Sequence, residues 1–268
     1  MPAMPTPPEP AALYPDVAAA GGRDRGTLAA ALRAAAGGAL DDVPLTSPDT
    51  APLTEAAGGS ALPHRSAIRV SAWAHERKWS VSAGEPLLGL ALIHGVTDDL
   101  AQVARALRAW HDGASPEDVH AAASFARPTG RLELTEPDPV RMTESEWRHL
   151  RTEAAELDTS FAPAYRALVD AAHAEPRLRA LYRFTSHWAL RFSTATRPHL
   201  QVVGPNLVCS GEGGYRVARL MAERGRHVAT AREAVAEAVR LLPEGREPVR
   251  YGAAPRGAEN PVEAAGQP

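Results

Sequence analysis

Ten histidines are the first residues in this chain that could do chemistry. A zinc site would need two of them at HxH or HExxH spacing, and no pair has it. His64 and His75, His94 and His111, and His187 and His199 are too far apart in sequence for spacing alone to bring them together. No metal and no cofactor is therefore expected. Ser186 precedes His187 in the order of a nucleophile beside its base. Successive side chains of a strand point to opposite faces, so the two cannot form a hydrogen-bonded dyad while both stay in one strand. Neither a GxSxG elbow nor a phosphate loop occurs. Gly211-Glu212-Gly213-Gly214 lacks the following helix and lysine that cradle a phosphate, and reads as a hairpin turn.

What remains is a polar strand face, His187, Arg191 and Ser193, with Arg183, Thr185 and Ser186 just before it. Residues two apart on a strand share a face, so an imidazole and a guanidinium on that face could together hold a carboxylate or phosphate. These three are the candidate ligand-binding residues. The competing reading is an outer sheet face wetted by solvent, with the arginines paired to nearby acids. Trp73 and Trp79 read as packing across a hairpin rather than as stacking on a ligand. Cys209 is the only cysteine. It can form no intramolecular disulfide and reads as a small buried hydrophobe.

The elements that must position these residues follow from periodicity. Ile68, Val70 and Ala72 alternate with Arg69, Ser71 and Trp73, and the chain turns near Glu76-Arg77 into a second alternating run, residues 78–82. Gly84-Glu85-Pro86 marks the next turn, and residues 87–93, apolar on both faces, read as an inner strand. Thr97-Asp98-Asp99 opens a helix over 98–111 with Leu100, Val103, Leu107 and Trp110 on one side. The middle is helical: Thr143-Glu144-Ser145-Glu146 has the form of a capping box, followed by Trp147, Leu150 and Ala154 at helical spacing. The second strand unit begins at Ser186, with Trp188, Leu190, Phe192 and Thr194 on one face and His187, Ala189, Arg191 and Ser193 on the other. Strands follow at 200–203 and 206–210. Thr230-Ala231-Arg232-Glu233 is a further capping box, opening a helix over 231–242 that buries Val235 and Leu241 and stops at Pro243.

This order predicts an α+β fold with antiparallel sheets, built from two units of strand hairpins plus a helix and joined by a helical middle segment. The divisions expected are a tail over 1–12, a first α+β unit over 13–130, a helical connector over 131–185, a second α+β unit over 186–252 and a tail over 253–268. At 268 residues the chain can bury a core without disulfides or metals. A formal net charge of -3 separates it from basic nucleic-acid binders, so no nucleic-acid partner is expected. No stretch approaches the ~18 apolar residues of a membrane span, and the first ten residues lack the basic and apolar regions of a secretory signal. No membrane association and a cytoplasmic location are the expectations.

The run from Phe184 through Ser193, FTSHWALRFS, together with Val203-Gly204-Pro205 after it, resembles an actinobacterial family of unknown function. So do Tyr14-Pro15-Asp16, Leu62-Pro63-His64-Arg65, Ala109-Trp110-His111-Asp112-Gly113 and Thr143-Glu144-Ser145-Glu146-Trp147. Members of that family are labelled natural product biosynthesis proteins. The resemblance covers nearly the whole chain apart from the tails. It implies a setting and no reaction, cofactor or catalytic residue. The leading expectation is a non-catalytic accessory protein that holds a small molecule or a protein partner. The alternative is a secondary-metabolism enzyme acting on a small anionic metabolite, with His187 as acid or base and Arg191 as anion anchor.

Overall fold

A computed structural model describes residues 8–21, 25–86, 89–210, 213–219, 225–244 and 248–253. Most of the two expected tails, residues 1–7 and 254–268, lies outside the described residues, as do Leu87, Leu88, Gly211 and Glu212. The chain forms two compact units, Met1–Thr135 and Glu136–Pro268. The fold is α+β, and every pairing within the two larger sheets is antiparallel. Among the described residues no helix is long and apolar enough to cross a membrane.

In the first unit, two short helices, α1 (Pro10–Leu13) and α2 (Pro15–Ala18), precede α3 (Leu28–Ala36). The Thr27 hydroxyl accepts the Ala30 N–H at the start of α3, and Gly37, at φ 59°, ends it in the left-handed conformation that glycine adopts without a steric cost. The strands β1 (Leu45–Thr46), β2 (Glu55–Gly58), β3 (Ile68–Ala72), β4 (Trp79–Glu85) and β5 (Leu90–Thr97) follow. After α4 (Leu100–His111) and α5 (Pro116–Ala122), β6 (Arg127–Pro128) completes a six-stranded sheet in chain order. Leu28, Leu32, Ile68, Val81, Leu107 and Trp110 are buried in one core. Two details differ from the sequence reading. Gly84-Glu85 continues β4, so the turn comes later and the next strand begins at Leu90. The cap of α4 is Asp99, whose carboxylate accepts the N–H groups of Ala101 and Gln102, because Thr97 is still paired in β5.

The second unit opens with three helices, α6 (Pro139–Glu156), α7 (Ala162–Ala174) and α8 (Pro176–Arg179). Strands β7 (Tyr182–Ser186), β8 (Ala189–Ser193), β9 (Ala195–Pro198), β10 (Val202–Cys209), β11 (Tyr215–Arg219) and β12 (Arg226–Val228) come next. Helix α9 (Ala231–Leu241) and β13 (Arg250–Gly252) complete the unit. The five-stranded sheet has the order β12-β11-β10-β8-β7, and β9 pairs with β13 in parallel. Trp147, Leu150, Tyr165 and Leu168 from the helices are buried with Leu190, Phe192, Leu207 and Val217 from the sheet. The Thr230/Glu233 capping box is present; Val235 is buried and Leu241 only partly so.

Helix α6 corrects the expected cap at Thr143. The cap lies five residues earlier, where the Asp138 carboxylate accepts the N–H groups of Val140 and Arg141 and Pro139 takes the first helical position. The Thr143 hydroxyl instead donates to the Pro139 carbonyl inside the helix. This places Glu146 in the interior, where its side chain is 4% exposed and faces Arg183 at 3.4 Å.

Candidate functional site

The hairpin joining β7 to β8 governs where the candidate residues fall. Ser186 pairs with Ala189, leaving His187 and Trp188 as a two-residue turn at φ 50° and φ 64°. Both take the left-handed conformation that a two-residue hairpin requires. The strand therefore does not run through Ser186 to Thr194, and the alternation assigned to it begins only at Ala189. His187 is exposed at the tip rather than on a sheet face. Trp188, read onto the strand face of Leu190 and Phe192, is instead 43% exposed and packs edge-on against Phe161 and Tyr165, with centroids 5.5 and 5.6 Å away.

Arg191 lies on β8 opposite the buried Leu190 and Phe192, half-buried, and its Nε is enclosed with no partner among the described residues. Ser193 shares that side of the strand and is fully buried. Its hydroxyl accepts the N–H groups of Ala195 and Gln201, at 3.0 and 2.9 Å, and donates to the Ala195 carbonyl. That set of bonds holds the bend into β9. The structure thus brings Arg191 and Ser193 to one side of β8 and leaves His187 apart from them. It does bring Ser186 Oγ to 3.3 Å from His187 Nδ1, because His187 leaves the strand. Arg183, just upstream, is buried against Glu146.

A different set of residues converges in the second unit. A groove of about 1250 Å³ runs along α6 and is closed by α8, the end of α7 and Pro248-Val249. Helical periodicity explains the α6 contribution: Val140, Glu144, Arg148, Arg151, Thr152 and Ala155 stand three or four residues apart on one face. Trp147 contributes to the groove wall and is 1% exposed. Its indole N–H lies within hydrogen-bond distance of the Arg179 and Leu181 carbonyls, at 3.1 and 3.2 Å, which fixes the ring beneath α8.

Four arginines line the groove: Arg148 and Arg151 from α6, Arg177 and Arg179 from α8. Arg151 pairs with Asp170 at 3.3 Å. The side chains of Arg148 and Arg179 make no hydrogen bond or ion pair among the described residues. His173 stands beside them, half-buried. Its pKa is held below the usual histidine value, mainly because burial penalises the charged ring and further because Arg151 and Arg179 repel it; Asp170 acts in the opposite sense. Two guanidiniums without partners among the described residues thus stand near a half-buried imidazole and apolar side chains, and guanidiniums are the donors that match carboxylate and phosphate oxygens.

Among the described residues, the acids lining the groove are Glu144 and Glu156. Sequence reasoning passed over this groove. The available signal was the i, i+3 pair Arg148 and Arg151 on the polar face of a strongly patterned helix, with Arg177 and Arg179 in the next basic cluster. Among the described residues no cluster of three histidine, cysteine, aspartate or glutamate side chains is arranged to hold a metal.

Residues 141–253 match a family of unknown function, DUF6193. The match spans somewhat under half the chain. It includes every charged residue of the groove, the buried Arg183–Glu146 pair and the hairpin carrying His187 and Arg191. No curated protein and no solved structure matches the chain.

Proposed function

We propose that this protein is a non-catalytic binding protein that holds a small anionic molecule in the groove along α6, and that it serves natural product biosynthesis as an accessory protein. One observation carries the reading: among the described residues Arg148 and Arg179 stand unpaired in a groove that also presents apolar side chains, beside Trp147 and His173. An unpaired guanidinium beside apolar surface gains more from a carboxylate or phosphate than one already saturated by acids. The reading of the groove as a holding site rather than a reaction centre draws on His173, which has no hydrogen-bonded carboxylate to orient it among the described residues. The biosynthetic setting comes from the family resemblance alone.

Mass spectrometry of small molecules released by denaturing the purified protein tests the proposal. An anionic species should accompany the wild type and be lost from the Arg148→Ala/Arg179→Ala double variant. Equal recovery from both proteins would refute the groove as the site.

A second reading, an enzyme with His187 as acid or base and Arg191 as anion anchor, draws on the 3.3 Å approach of Ser186 Oγ to His187 Nδ1. Replacing His187 and Arg191 together by alanine should leave the released species unchanged on the first reading and alter it on the second.

A further inference from the structure

The groove is longer and less uniform than a pocket for a compact anion requires. Its α6 residues run from Val140 to Glu156. At a rise of 1.5 Å per residue that is about 24 Å of helix. Its volume, about 1250 Å³, exceeds the ~300–1,000 Å³ of pockets for compact ligands.

Charge is distributed unevenly along this length. The cations Arg148 and Arg151 occupy the middle of the α6 face, Arg177 and Arg179 are contributed from α8, and the half-buried His173 comes from α7. The acids Glu144 and Glu156 stand to either side, one toward each end of the helix. Beyond Glu144, Val140 is 64% exposed, an unusual state for a large aliphatic side chain inside a groove. Pro176 and Val249 add further apolar surface.

A single anionic group in the middle is attracted, and a second one displaced toward either end meets a like charge. Apolar surface is left for the rest of the molecule. Resting on the binding reading above, we propose that the ligand is an elongated amphiphile: an apolar chain or ring system carrying one carboxylate or phosphate. Arg148 and Arg179 hold the head and Val140 flanks the apolar body. A polyanion such as a nucleic acid or polyphosphate does not suit this pattern, nor does a molecule with an acid at each end.

The test is isothermal titration of the full chain with acetate, decanoate, decanol, decanedioate and decyl phosphate, each below its aggregation concentration. Each methylene removed from water strengthens binding by up to about fourfold. A half-open groove should realise a fraction of this, so decanoate should bind at least ~30-fold more tightly than acetate. Decyl phosphate should resemble decanoate, while decanol and decanedioate should each bind at least ~10-fold more weakly.

Val140→Glu should weaken decanoate while sparing acetate. Arg148→Ala/Arg179→Ala should weaken both, with circular dichroism confirming the fold. Acetate binding as tightly as decanoate, or decanedioate matching it, would overturn the amphiphile while leaving an anion site in place. Decanol matching decanoate would remove the head group from the argument and overturn the proposal. No binding of any carboxylate or phosphate probe would defeat the binding reading itself.

Discussion

His173 stands edge-on to Trp147, with ring centroids 5.5 Å apart and planes at 62°. The contact fixes the imidazole at the groove wall, and Trp147 is itself tied to the Arg179 and Leu181 carbonyls. An edge-to-face pair of this kind contributes roughly 0.5–1.5 kcal/mol beyond its buried area. It also holds a half-buried titratable group where two arginines repel a proton, with Asp170 opposing them.

A pH dependence follows from that placement. The folded chain binds a proton at His173 less readily than the unfolded chain does. This contribution to stability is therefore complete above the ordinary histidine value and is lost as pH falls through it toward the lower folded value. Urea midpoints measured from pH 7.5 to pH 5 should fall for the wild type, and the fall should be smaller for His173→Gln. Equal falls would show that His173 carries none of the dependence.

Arg183 and Glu146 predict a large destabilisation. Their side chains are 3% and 4% exposed and 3.4 Å apart, and the guanidinium also donates to the Glu146 main-chain carbonyl. Removing one partner leaves a charge in the interior, at a cost of about 3–5 kcal/mol. Arg183→Ala should lower the unfolding free energy by about that amount, whereas replacing both residues with methionine should recover most of it. Urea denaturation monitored by tryptophan fluorescence measures both. A cost for Arg183→Ala below about 1 kcal/mol would be inconsistent with a pair that replaces solvation in the core.

Cys209 predicts a rate. It lies on β10, and burial pushes its thiol up to about 11. Little thiolate is then present at pH 8, so an aromatic disulfide reagent should react about 100-fold more slowly with the native protein than with the protein in urea. Comparable rates would mean that the thiol is not sequestered.

The sequence made the helix ends and hairpins legible where local chemistry acts alone. The Thr230/Glu233 box caps a helix as read, and the alternation of Ile68, Val70 and Ala72 appears as β3. It misled where two local signals competed. Thr143-Glu144-Ser145-Glu146 has the form of a cap, but Asp138-Pro139 starts the helix first and carries Glu146 into the core.

The hairpin tip misled for a different reason. His187-Trp188 has none of the glycine or asparagine that usually marks a two-residue turn. Its left-handed conformation is offset by the packing of Trp188 on Phe161 and Tyr165, a tertiary contact with no local signature. The groove was hidden for the same kind of reason, since Arg148 and Arg179 lie on different helices. Only the packing of α6 against α7 and the turn into α8 brings them to one cavity with His173.

The most direct test of the groove is nuclear magnetic resonance of the nitrogen-15-labelled full chain titrated with decanoate. The account predicts shifts concentrated at the Trp147 indole N–H, the Arg148 and Arg179 Nε–H groups and the backbone amides of residues 140–156 and 173–181. The Nε–H of Arg69, an exposed arginine on β3, should stay in place. Shifts absent from those groove signals while others move, or spread evenly over both units, would contradict it.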